Sequence, residues 1–99
     1  MGAGQGRGRA VATVTYRIEW RPRARKSFLA LDKPVRRRIG EAVDALAADP
    51  RPAAAKMITG AHGVLRIRVG DYRVLYTIDE GRLVVLVLDA GHRSVIYDR

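Results

Sequence analysis

The chain has 99 residues, enough for one domain with a single modest core and too few for two. Its 19 Lys and Arg stand against 10 Asp and Glu, and the resulting net charge of +9 points to a polyanionic partner, nucleic acid or acidic protein. The lack of cysteine excludes disulfides, thiol nucleophiles and thiolate metal sites. No apolar run approaches the ~20 residues that span a bilayer, so no membrane partner is expected and the expected location is the cytoplasm.

Residues 1–12 are rich in Gly and Arg without periodicity and are expected to form a disordered basic tail, leaving residues 13–99 as the single domain. Residues 13–20, TVTYRIEW, alternate as a strand does, with Val14, Tyr16, Ile18 and Trp20 on one face. Pro22 opens a short basic helix over residues 23–31, anchored by Phe28 and Leu31. Asp32 is placed as an N-cap and Pro34 inside the first turn of a second helix over residues 35–48. There Val35, Ile39, Ala42, Val43 and Leu46 form the apolar stripe, while Arg36, Arg37 and Arg38 run round a solvated face. The run Asp49-Pro50-Arg51-Pro52 ends that helix, so the two helices make a hairpin.

Residues 53–63 read as a connector with a helical turn near 54–57. Three strands follow, over residues 64–69, 72–78 and 83–88, the last apolar on both sides as a strand covered above and below would be. The expected fold class is therefore α+β: an N-terminal strand, an α-helical hairpin and then a three-stranded antiparallel sheet.

The first two of those three strands meet at Gly70-Asp71. A two-residue loop fixes the register, placing Val69 opposite Tyr72, Arg68 opposite Arg73, Ile67 opposite Val74 and Arg66 opposite Leu75. Side chains alternate across a strand, so Leu65, Ile67, Val69, Tyr72, Val74 and Tyr76 share one face and Arg66, Arg68 and Arg73 share the other. Like charges placed opposite each other weaken a ladder. An anionic ligand accounts for such a cluster better than folding does.

The order of elements, with R-I-R at residues 66–68, G-D-Y-R-V-L-Y at 70–76 and G-H-R-S-V-I-Y at 91–97, resembles the RelE/ParE superfamily of type II toxin–antitoxin toxins and is most similar to its RelE branch. The resemblance implies a RelE-like microbial RNase fold. It also implies an enzyme, a ribosome-dependent endoribonuclease that blocks translation by cutting messenger RNA through attack of the RNA's own 2′-hydroxyl on the adjacent phosphate. No cofactor or metal is implied, and two histidines thirty residues apart make a poor metal site.

Carried over by position, Arg66 and Arg68 occupy the places of a basic pair that is commonly lysine. Arg73 falls on a phosphate-binding arginine, Arg93 on the arginine after the last strand, and Tyr97 on a C-terminal tyrosine that stacks on the scissile nucleotide or assists proton transfer. Arginine in place of lysine leaves the base open, because a guanidinium does not readily give up its proton. Imidazole titrates nearer neutral pH than any other side chain, so His92 joins Tyr97 as an expected proton carrier. The implied partners are an acidic antitoxin, the ribosome and messenger RNA, with operator DNA contacted only indirectly through the antitoxin. Two alternatives stand beside this: a ParE-like DNA gyrase poison without RNase activity, and a non-catalytic nucleic-acid-binding module.

Overall fold

The computed structural model describes residues 14–96. One five-stranded sheet carries the molecule, and its strands are β1 (Arg17–Trp20), β2 (Lys56–Met57), β3 (Leu65–Val69), β4 (Tyr72–Asp79) and β5 (Val84–His92). They are ordered β1-β5-β4-β3-β2, with β1 parallel to β5 and every other pair antiparallel. Helices α1 (Pro22–Leu29) and α2 (Lys33–Ala45) follow β1, and the short α3 (Arg93–Ile96) follows β5. Residues 1–12, expected as a basic tail, lie outside the described residues.

The core lies between the sheet and the helical hairpin. Ile39 and Val43 of α2, with Leu46 just past its end, are fully buried against Ile67, Val74, Tyr76, Val85 and Val87. Val35 and Ala42 pack on the margin of the same cluster, completing the stripe expected from the sequence. From α1 only Ala24 is fully buried, and Phe28 closes one end by stacking at 4.8 Å on Trp20 of β1. Tyr76 is completely enclosed, and its hydroxyl donates to the carbonyl of Pro50 at 2.7 Å, tying the sheet to the chain that leaves α2. Burial pushes that phenol up to about 12.

Several boundaries differ from the sequence expectation. The first strand begins at Arg17 rather than Thr13: Val14 is exposed, and the Tyr16 amide bonds the carbonyl of Ala47 instead of a strand neighbour. Helix α2 ends at Ala45, where amide bonds from Leu46 to Val43 and from Ala47 to Asp44 tighten the chain into a turn. Asp32 occupies the N-cap position with extended backbone, but its carboxylate makes no capping bond. Residues 56 and 57, expected in a helical turn, form the edge strand β2 against β3.

The largest difference is at β5, which runs to His92 instead of ending near Leu88. A bulge makes this possible. Leu75 pairs with Asp89 and Tyr76 with Val87, so Leu88 is an extra residue without a partner in the ladder. One inserted residue reverses the parity of everything after it. Val85 and Val87 face the helices before the bulge; after it Ala90 does so, and Asp89 comes opposite Leu75.

Candidate phosphate-binding pocket

The β3–β4 ladder has the register the turn dictates: Val69 opposite Tyr72, Arg68 opposite Arg73, Ile67 opposite Val74, Arg66 opposite Leu75 and Leu65 opposite Tyr76. Gly70 has φ +62°, while Asp71 keeps a negative φ, the combination that a Gly-X hairpin turn requires. Arg66, Arg68 and Arg73 therefore lie together on the sheet face away from the hairpin helices. The short strand β2 adds Lys56, which pairs with Arg66 and shares that face. Burial first, and then the charges of Arg68 and Arg73, draw the Arg66 guanidinium below its ordinary value.

Beyond the bulge, β5 brings Gly91 opposite Arg73. The chain then turns into α3, and the Arg93 amide donates to the Asp71 carbonyl at 2.9 Å, fastening α3 to the tip of the β3–β4 hairpin. As a result Arg68, Arg73, Arg93 and Ser94 line one open pocket. Three guanidiniums and a hydroxyl converging on one space bind a tetrahedral oxyanion by forked, charge-assisted hydrogen bonds. Such a set is suited to stabilising charge on oxyanion oxygens and not to supplying a base.

Of the residues expected at the site, the structure brings Arg68, Arg73 and Arg93 together and sets Arg66 beside them on the same face. His92 is not with them. It pairs with Tyr72, and a directly opposed cross-strand pair shares a face, so its ring lies on the helix side of the sheet. There it meets Tyr72 edge to face at 5.4 Å and lines a separate cleft with Arg23, Ser27 and Leu31. Its Nδ1 accepts the Ser94 amide at 3.1 Å and lies 2.8 Å from the Ser94 hydroxyl. An Nδ1 that accepts a backbone N–H puts the proton of the neutral ring on Nε2, so the imidazole is engaged in starting α3. The expected proton carrier His92 thus stands off the arginine cluster, one hydrogen bond away from the Ser94 of its pocket. Tyr97 lies outside the described residues.

Two further charged residues join the neighbourhood without having been singled out in the sequence. Lys56 sits in a strand of two residues, too short to show any alternation. Asp89, brought opposite Leu75 by the bulge, is buried to 8% exposure; it accepts the Ala90 amide at 2.9 Å, pairs with Arg23 at 3.3 Å and lines the cleft of His92. Its signal was the end of the apolar run 83–88 at Asp89.

A helical hairpin on one face of a mostly antiparallel sheet, with arginines from two strands and a C-terminal turn on the other, defines the RelE/ParE class of toxin. The model of the ParE toxin of type II toxin–antitoxin systems matches residues 18–97, and the chain belongs to that family. It is a toxin of a type II toxin–antitoxin system. Among solved structures it is similar to the RelBE2 toxin–antitoxin complex of Mycobacterium tuberculosis, at 27% identity and a TM-score of 0.72, over 81% of this chain and 100% of that one. The archaeal RelE–RelB complex of Pyrococcus horikoshii is similar at 29% identity and a TM-score of 0.70, over 81% and 97% of the two chains. A free mutant of the E. coli toxin RelE shares the fold at 22% identity and a TM-score of 0.72, over 85% and 90%. No curated protein matches the chain by sequence. Among the described residues no helix is long and apolar enough to cross a membrane.

Proposed function

We propose that this toxin is a ribosome-dependent endoribonuclease that stops translation by cutting messenger RNA. The observation that carries the reading is the convergence of Arg68, Arg73 and Arg93 on one open pocket. In the proposed reaction the 2′-hydroxyl attacks the adjacent phosphorus as the P–O5′ bond breaks, giving up the proton that the leaving 5′-oxygen gains, so that a 2′,3′-cyclic phosphate and a 5′-hydroxyl result. The arginines hold the non-bridging oxygens and stabilise the charge of the phosphorane, with Arg66 and Lys56 strengthening the local field. The ribosome aligns the strand. Tyr97 is assigned to the scissile nucleotide, by stacking or by proton transfer to the leaving oxygen.

The partner proposed for the resting state is an acidic antitoxin segment laid over the same basic face. Two of the similar structures are complexes of a RelE-type toxin with its antitoxin, which supports the pairing. An acidic chain that orders on this face would complement its positive charge and block the pocket in one step. DNA contact then belongs to the antitoxin.

The family match favours a second reading, a ParE-like poison of DNA gyrase that uses the same fold without the chemistry. Pulse labelling of cells after induction separates the two. Collapse of amino-acid incorporation ahead of thymidine incorporation is the outcome expected of an RNase; the reverse order, with DNA breaks, would assign the toxin to gyrase.

A further inference from the structure

The basic surface does not end at the pocket. Arg38, on the exposed side of α2, reaches across the helix-sheet boundary to the β3–β4 turn: a β-carbon built on Gly70 would stand 2.5 Å from its Nη2 and 3.7 Å from its Cζ. The guanidinium thus rests against the bare Cα of Gly70, in space open only because that residue is glycine. The two arginines of the Arg68–Arg73 pair flank the same turn, each two positions from its nearer turn residue and so roughly 7 Å along the strands. Arg38 is therefore one end of a basic track that wraps round the hairpin tip.

The neighbouring arginines on the helix have other employment or none in common with it. Arg36 donates to the carbonyls of Leu29 and Leu31, closing the end of α1, which is a structural task. Among the described residues the ion pairs engage Arg17, Arg23 and Arg51. Among the described residues no carboxylate lies within ion-pair distance of Arg38.

Resting on the RNA reading above, we infer that Arg38 binds the phosphodiester adjoining the one held in the arginine pocket, so that a single-stranded RNA runs over the β3–β4 tip. Its role is to hold the strand, and it touches none of the reacting atoms. Glycine at position 70 lets it lie close enough to share a strand with Arg68 and Arg73.

The test is fluorescence anisotropy of the whole toxin with 2′-O-methyl RNA, which lacks the attacking hydroxyl and is not cut, as a labelled dinucleotide and as an octamer, across a range of salt. Arg38→Ala should weaken the octamer several-fold and flatten its plot of log affinity against log salt by about 0.7, the share of one phosphate on a single strand. Arg38→Lys should restore most of the slope, and the dinucleotide, with one phosphate, should not distinguish Arg38→Ala from the parent. Thermal unfolding of each variant checks that the fold is kept. If Arg38→Ala binds the octamer with the parent's slope while Arg73→Ala is impaired, the inference fails and the RNA reading stands. If the parent itself binds neither probe, the inference falls, while the RNase reading, in which the ribosome aligns the strand, is decided by the cleavage assay.

Discussion

Arg68 and Arg73 stand directly opposite each other across the β3–β4 ladder, beside a two-residue turn that permits no other register. Opposed like charges weaken a strand pair, so this arrangement is kept against stability. Replacing Arg68 by Thr should raise stability by about 0.2–1 kcal/mol and lower RNA cutting about 100-fold, as loss of one donor to a developing oxyanion does. Chemical denaturation and a cleavage assay on one preparation read the two effects, and their opposite signs are the signature of a charge kept for function.

His92→Ala separates the face argument from nearness in sequence. The ring faces the helices and bonds Ser94, so the substitution should loosen the start of α3 and lower the melting temperature, with cutting falling far less than in Arg73→Ala. Loss of cutting equal to that of Arg73→Ala, with the fold intact, would put the imidazole back among the reacting groups.

Tyr76 gives the alkaline limb of the stability curve a specific origin. Its folded value of about 12 lies above the ordinary phenol value of 10.0, so the neutral form is favoured in the folded state. The contribution is fully present below pH 10 and is lost as pH rises through about 12. Tyr76→Phe, which cannot ionise, should be less sensitive to pH over that window while losing the bond to Pro50. Parallel denaturation series from pH 8 upward measure the difference.

Gly70→Ala places a side chain at φ +62°, where an L-residue pays about 1–2 kcal/mol. The added carbon also meets the Arg38 guanidinium, the movable end of a flexible side chain, so the cost should come from the backbone. Equilibrium unfolding should show a loss in that range; no loss would mean that the turn relaxes to another type.

Asp89→Ala should cost about 1–3 kcal/mol, because it strips the Ala90 amide of an acceptor and Arg23 of its partner. Asp89→Asn keeps an acceptor of similar shape and should recover part of the loss in the same unfolding experiment.

The β3–β4 hairpin was legible in full because two local signals agree: a Gly-Asp turn sets the register, and strict alternation sorts apolar residues from arginines. The helical hairpin was legible for a similar reason, its apolar stripe repeating at helical spacing from Val35 to Leu46. What escaped has physical causes. The bulge at Leu88 reverses parity, so faces counted forward from Val85 are wrong for Ala90 and His92, and the nearness of His92 to Arg93 in sequence concealed that their side chains lie on different sides. Strand β2 has two residues and gains its identity only from pairing with β3, which is why Lys56 was missed. The parallel docking of β1 on β5 is a long-range choice to which no local pattern in residues 17–20 testifies.

The central claim is that the arginine pocket cuts messenger RNA, and mapping messenger 5′ ends by primer extension in a translation extract tests it most directly. Purified toxin should produce new ends at codons in the ribosomal A site, only when ribosomes are present, and Arg73→Ala should abolish them. A messenger left intact by the folded parent toxin under those conditions would contradict the account.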